Sequence, residues 1–431
     1  MPATMTSYDS LLKLHYEKSI QNQTGHVSDV AKLYTELPPK SSGGRNNVKA
    51  VLLSNAQSSA SIGELGALPL SGNSVGGNLT FTTTNSYFSV QLSSRLMESS
   101  EADVDAFSDA LSIELDSALE TFKIEKARQL VGAGTGIKAR VNGAVAAATV
   151  VNVDDPLGVT NTVGGAKFIA VGSRIAITDG VTIKGIRTVT ARNAAGTQIT
   201  LDAAITAADN DLIVSASTTA GTPAFADIGL NQELMGLLGQ IDNGSYVATY
   251  FGISRAAFPI MQSHTDSVAE GLSFDKVHRA CDAVWQKSGG ERPDTFICGP
   301  EVQRAFIALT EAQRRYVGSS LLNPDGGNRA TLKGTTLEVG GFPLMVDYFM
   351  PQNVFVGLTK KHCHKYVLTK GAWQNKSGSI WARAQGANGD IDAWKAYWGE
   401  RENYANFRPN TGFRIENLTG ISNIYIPVTA G

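Results

Sequence analysis

The chain holds 431 residues, 42% of them hydrophobic and 18% charged, and its 37 basic side chains nearly balance 39 acidic ones. At roughly 100–200 residues per domain, this length predicts two to four domains with ample core. The net charge of −2 excludes binding to nucleic acid through global charge, and the sparse charge leaves much surface free for burial against partners.

Residues 1–46 read as a polar arm. Ser7 to Ile20 predicts one amphipathic helix with Tyr8, Leu11, Leu12 and His15 near one face. The breaker Leu37-Pro38-Pro39-Lys40-Ser41-Ser42-Gly43-Gly44 follows. Such an arm has no core of its own and must lie on something larger.

Residues 47–98 read as a β flap, with strands at Val48–Leu53 and Leu79–Leu92 and a small-residue stretch from Ser58 to Asn78 between them. From Ala50 to Ser94 the only charged side chain is Glu64. A solvated excursion of that length would carry more charge, and a lone two-stranded flap is marginal in water. The flap is therefore expected to be covered by another copy of the chain.

Residues 99–131 predict one long helix. Ser100 and Asp103 make a capping-box-like start, and Val104, Phe107, Leu111, Leu115, Ala118, Leu119 and Phe122 recur at helical spacing. Acidic residues come first and Lys123, Lys126 and Arg128 last, which suits the helix dipole. Gly132 is the stop. At 1.5 Å per residue this is a rod of about 45 Å whose single apolar stripe predicts a spine laid across a sheet.

Residues 136–222 lose the helical period. Ile175, Ile177, Val181, Ile183, Ile186, Val189, Ile199 and Leu201 mark short strands, with turns at Asp179-Gly180 and Asn193–Gly196. This reads as a small all-β module. Residues 223–431 are mixed, with helices expected at Leu230–Ile241, Ser273–Gln286 and Pro300–Leu309. Strands are expected at Tyr246–Gly252, Thr295–Cys298, Leu337–Val346 and Val354–Leu358. Trp373, Trp381, Trp394, Tyr397, Trp398, Tyr404 and Phe407 crowd the C-terminal part, as core or subunit contact.

Three cysteines, Cys281, Cys298 and Cys363, give no disulfide framework, so folding in a reducing cytoplasm is expected. Neither a signal peptide nor a membrane span is visible.

The motifs that carry chemistry each have a plainer reading. Gly72-Asn73-Ser74-Val75-Gly76 matches the nucleophile elbow of serine hydrolases, but a strand-like run follows Ser74 where that chemistry needs a helix. Gly132-Ala133-Gly134-Thr135-Gly136 resembles a phosphate loop but follows a helix instead of opening one. In His362-Cys363-His364 a strand would put both histidines on one face, yet nothing nearby supplies a further metal ligand. Arg314-Arg315-Tyr316 and Lys360-Lys361 are surface clusters or contacts to DNA or a neighbour. No acid, base and oxyanion site assemble, so no catalytic, metal or cofactor residue is assigned and no enzyme is expected.

The order of polar arm, low-charge flap, long helix, glycine-rich stop and mixed domain resembles the major capsid protein family of tailed bacteriophages. Gly66-Ala67-Leu68-Pro69 resembles the family's extended loop. Leu130-Val131-Gly132-Ala133-Gly134-Thr135-Gly136 resembles the exit from its spine helix. Pro293–Val302 resembles the strand-to-helix passage of the axial domain, and Glu400-Arg401 with Phe407-Arg408-Pro409 a late peripheral segment.

The resemblance implies an α+β, Hong Kong 97-type capsid fold. Its parts would be an N-terminal arm at 1–46, an extended β-hairpin loop at 47–98 and a spine helix of the peripheral domain at 99–135. An inserted small all-β domain at 136–222 and a peripheral-domain return at 223–245 would follow. An axial domain at 246–372, a peripheral domain at 373–410 and an axial C-terminal segment at 411–431 would complete it.

The implied function is self-assembly, as pentamers and hexamers, into an icosahedral head enclosing double-stranded DNA. The implied partners are sister copies, a separate scaffolding protein, a portal protein, a cement protein and, non-specifically, the packaged DNA, with assembly in the host cytoplasm and no membrane. Inter-subunit contact is expected from Glu64, Leu68, Pro69, Leu79 and Phe81, and contact with DNA or a neighbour from Arg314, Arg315, Lys360 and Lys361. Some members of the family weld their shells through a flap lysine. No lysine lies between Lys49 and Lys123 here, so a non-covalent shell is expected, reinforced by the β module or a cement protein. An encapsulin-like compartment, which shares the fold, and a hydrolase built on Ser74 are the competing readings.

Overall fold

In the computed structural model of the protein, the described residues are 28–37, 47–95, 110–217, 224–313, 338–339, 342–375, 379–386 and 389–421. The expected helix Ser7–Ile20, the helix start at Ser100 and the pair Arg314 and Arg315 lie outside them. The chain divides into two compact units, one containing Tyr87–Ile124 and Gly371–Gly399, the other His26–Ser86, Glu125–Lys370 and Glu400–Gly431.

The first unit is built around aromatic rings. Trp373 and Trp398 meet edge to face at 5.4 Å, and Phe88 packs on Phe122 at 5.2 Å and on Trp373 at 5.6 Å. Strand Ala382–Gly386 pairs antiparallel with strand Gly389–Asn406, Arg383 opposite Trp394. Tyr404 and Phe407 belong to the other unit, so the aromatic crowd seen in the sequence serves two cores.

Among its described residues the second unit holds three large cores and a small fourth one of Ala176, Val214 and Ile228. The first is a closed six-stranded antiparallel barrel, in the order Leu212–Ser215, Ile137–Val141, Val145–Asp154, Gln198–Ala207, Ile183–Arg192, Arg174–Thr178. Alternate aliphatic residues (Val151 and Val153, Ile175 and Ile177, Ile199 and Leu201) point inward and are buried. Closure removes the exposed strand edges that an open sheet of this size would carry. Its turns are set by side chains. Asp179 Oδ1 accepts the N–H groups of Val181 and Thr182, and Asn193 Oδ1 those of Thr197 and Gln198.

The second core is a six-stranded mixed sheet, ordered His264–Asp266, Phe413–Ile415, Phe355–Leu358, Thr295–Cys298, Phe342–Val346, Glu338–Val339. Helices Phe274–Ser288 and Pro300–Gln313 contribute Val277, Val284, Val302 and Phe306 to the same core as sheet residues Phe296, Phe355 and Phe413. The first of these helices begins where Ser273 caps it, its side chain accepting the Lys276 N–H at 3.1 Å. The third core gathers Leu53, Leu79, Phe81, Tyr250, Phe251, Ile253 and Met261.

Five expectations need correction. Leu230–Ile241 is helical only at Leu237–Gln240, because Gly236 is extended and packed where a Cβ would strike the carbonyl oxygens of Gln129 and Gly132. Tyr246–Gly252 is strand only at Thr249–Tyr250, because the Asp242 carboxylate takes the N–H groups of Gly244, Tyr246 and Val247 into a turn. Leu79–Leu92 is two strands, Val75–Phe81 and Thr84–Ser93, parted where Asn403 Nδ2 donates to Thr82 O at 2.7 Å. Leu337–Val346 is two antiparallel strands with Val339 opposite Phe342. The described long helix, Ala110–Val131, buries Ile124, Ala127, Leu130 and Val131 near its end, whereas residues 114–123 are half-buried or exposed. Among the described residues the stripe is fully buried at its C-terminal end and half-buried at Leu115, Ala118, Leu119 and Phe122.

Candidate functional site

The flap has a buried root and a bare tip. Strands Asn47–Ser54 and Val75–Phe81 pair antiparallel, with Lys49 opposite Leu79. At the root Leu53, Leu79 and Phe81 enter the third core, where Phe81 stacks on Tyr366 at 4.8 Å. Thr80 N–H donates to Phe251 O at 2.9 Å, tying the flap to the neighbouring turn. Beyond the root, Leu65 is 100% exposed, Leu70 90% and Leu68 82%. The tip turns where Gly66 N–H donates to Gly63 O at 3.0 Å, with Glu64 inside that turn.

The turn that seats the flap is itself held by buried charge. Arg255 and Asp242, both fully buried, pair at 3.0 Å. Arg255 also donates to the carbonyls of Gly239, Gln240, Val247 and Met261. Arg414, equally buried, reaches the second Asp242 oxygen at 3.0 Å and the carbonyls of Leu238 and Ile241. One carboxylate thus joins strand Phe413–Ile415, strand Ile253–Ser254 and the segment 238–247. Burial alone would raise the Asp242 pKa. Arg414, the turn N–H groups and Arg255 overcome it and hold the carboxyl below its ordinary range.

The end of the long helix is pinned in the same way. Lys126 Nζ lies 2.7 Å from Glu400 and 2.6 Å from Glu402, whose other oxygen takes Lys365 at 2.8 Å. Arg128 bridges Glu125 and Glu233, and Lys138 approaches Glu125 at 3.4 Å. Burial would raise Glu125, but the Arg128 and Lys138 charges hold it down at about 2. After the helix Gly136 has φ +79°, and a Cβ there would strike the carbonyl oxygen of Gly229.

Residues 125–390, which include the whole barrel and most of the six-stranded sheet, match the SU10 major capsid protein family. The chain belongs to this family. It is the major capsid protein of a tailed bacteriophage or phage-like particle. Its fold is similar to a solved structure from the cyanophage A-1(L) capsid asymmetric unit. The TM-score is 0.60 at 11% identity over 97% of this chain and 100% of that one. The capsid of a native GTA particle matches with TM-score 0.50 at 10% identity, over 97% of this chain and 100% of that one. The architecture is the mixed α+β capsid fold of the Hong Kong 97 type. No curated protein matches the chain.

Within this capsid protein the site residues read from the sequence go to different places. Glu64, Leu68 and Pro69 are on the exposed flap tip. Leu79 and Phe81 are a correction: they are 0% and 2% exposed in this chain's own core and offer a neighbour no surface. Strand alternation in the sequence does not say which end of the flap is rooted. Lys360 and Lys361 lie in a 3-10 turn, exposed, with Lys361 3.2 Å from Glu291. The basic cluster is thus shared with an acid that also takes His362 and Arg408.

His362 and His364 do not share a strand face. His362 is in the 3-10 turn and 2.8 Å from Glu291, whereas His364 is on strand Cys363–Trp373, stacked on Phe407 at 4.5 Å. Cys363 between them is buried, and burial pushes its thiol up to about 12. Among the described residues no three His, Cys, Asp or Glu side chains form a metal cluster. Ser74 is exposed just before strand Val75–Phe81, which lacks the strand–turn–helix geometry of a nucleophile elbow.

Asp242, Arg255 and Arg414, the groups that position the flap, were missed. The one local signal was the turn run Asp242-Asn243-Gly244, which marks a break but not a buried charge.

Proposed function

We propose that this capsid protein assembles as pentamers and hexamers into a closed icosahedral shell around double-stranded DNA, held without covalent links. The observation that carries the reading is the flap, whose root is buried in its own chain while Leu65, Leu68 and Leu70 stand bare on an almost uncharged tip. Burying a leucine side chain is worth roughly 1.5–3 kcal/mol, so a tip lying on a sister copy gains strongly at every repeat of the contact. A closed symmetric shell repeats one such contact many times. The exposed residues of the helix between 114 and 123 (Glu114, Asp116, Ser117, Thr121 and Lys123) are a second surface that a neighbour would cover. A scaffolding protein to set the shell size, a portal protein and a cement protein are the further partners of this reading.

The test is a Leu65→Ser, Leu68→Ser, Leu70→Ser triple variant of the full chain. It is expected to fold with near-normal thermal stability, since these side chains touch little of their own chain, and to form no shells by negative-stain microscopy. Normal shells from the triple variant would remove the flap from the assembly contact. Finding a protein cargo instead of DNA in native particles would replace the phage head by a storage compartment.

A further inference from the structure

The chain enters and leaves the barrel through two paired strands, with Val214 opposite Ile137. A second seat lies on residues 348–353. There Phe168 stacks on Phe349 at 6.2 Å, and Lys167 Nζ makes a long hydrogen bond, 3.4 Å, to Met350 O. A ring stack attracts without fixing an angle, because apolar contact is non-directional.

Asn353 supplies the direction. It is 5% exposed, and both ends of its amide go to adjacent barrel residues. Thr162 Oγ1 donates to Asn353 Oδ1 at 2.9 Å, and Asn353 Nδ2 donates to Asn161 O at 3.3 Å. Thr162 is 2% exposed, so water does not compete for the first of these bonds. The Asn353 carbonyl accepts Leu418 N–H at 3.4 Å, which ties it to the segment after strand Phe413–Ile415. Asn417 in that segment accepts from Asn161 Nδ2 at 3.1 Å and donates to Ser267 O at 3.0 Å.

The loop that meets these amides is stiff. Asp155 N–H donates to Thr162 O at 2.9 Å, and Asp155 Oδ1 accepts Thr162 N–H at 3.2 Å. Asn161 and Asn417 have φ +59° and +55°, a left-handed conformation that asparagine tolerates better than most side chains. Glycine would take the same backbone and lose the bonds. We infer that Asn161, Asn353 and Asn417 form an orientation lock that makes the barrel a rigid strut of the subunit. A barrel rocking on one ring stack would pass no load between copies, so a reinforcing barrel needs its angle held. That use rests on the shell reading, whereas the lock belongs to the single chain and is tested there.

The test is a distance measurement between spin labels in the full chain, diluted with unlabelled chain so that only distances within one copy are read. Val181→Cys labels an exposed barrel turn, and His278→Cys the exposed side of helix Phe274–Ser288. The native cysteines are buried and stay unlabelled. One narrow distance distribution is expected, and Asn353→Ala is expected to broaden it about twofold. Hydrogen exchange at the barrel-core residues Ile175 and Ile199 is expected to stay unchanged. An unaltered width in Asn353→Ala overturns the lock, as does a broad distribution before any lock residue is changed. Faster exchange in the barrel core also overturns it, since Asn353 would then support the barrel's fold and not its angle. Should Asn353→Ala not fold, Thr162→Val and Asn417→Gly, which remove single partners and keep the backbone, decide by the same width.

Discussion

Asp242 shows how much one side chain decides in this protein. Two fully buried arginines depend on it, and each also holds backbone carbonyls from neighbouring segments. Asp242→Asn keeps the shape and removes the charge, leaving Arg255 without its counter-ion and Arg414 with Glu416 alone, 2.7 Å away. The expected loss is about 3–5 kcal/mol, read as a lower urea midpoint at pH 7. The pH dependence has a definite sign. A carboxyl held below its unfolded value stabilises fully above about pH 4, and that contribution fades as pH falls through the folded value. The gap between wild type and variant therefore narrows in acid, and a constant gap from pH 7 to pH 2 would contradict this role.

The thiols give a second residue-scale expectation. Cys281, Cys298 and Cys363 are all buried, and burial raises them to about 11, 12 and 12. Native protein at pH 8 should leave a thiol reagent unreacted, and denatured protein should titrate all three cysteines. Rapid native labelling would show that one of these pockets opens readily.

At the scale of elements, the barrel and the flap are opposite solutions to one problem. Both are strands rich in small and β-branched residues. The barrel closes on itself and buries its alternate face, as Ile175, Ile177 and Ile199 show at 0% exposure. The flap has only two strands, so its tip stays bare. Because the barrel core contains only barrel residues, deleting residues 140–218 is expected to leave the six-stranded sheet folded. If the barrel reinforces the shell, particles of that variant will lose heat stability in a melting scan. Particles that melt at the wild-type temperature would transfer the reinforcing role to a cement protein.

For the whole molecule, the question is what joins copies. The flap, whose tip stands bare, carries no amine between Lys49 and Lys123. Purified particles boiled in detergent are expected to run as one band at the 45.6 kDa monomer, with no ladder. A ladder would reveal a covalent link made by some other pair of groups. The contact would instead rest on apolar burial, which is strong when many copies repeat it and negligible for the isolated chain.

Composition and periodicity by themselves determined the uncharged flap, the strand-rich stretch at 136–222 and the helices starting at Ser273 and Pro300. In each, local hydrophobic period, turn residues and caps agree along contiguous sequence. The order of those elements also carried the capsid resemblance. Only the tertiary structure decided that Leu79 and Phe81 root the flap, that Leu230–Gly236 is not helical, and that Asp242, Arg255 and Arg414 form one buried hub. The reason is physical: partners such as Asp242 and Arg414 lie far apart in the chain. Whether a strand residue faces its own core or a neighbour, and whether a buried charge meets its counter-ion, depends on packing between distant segments that no local pattern encodes.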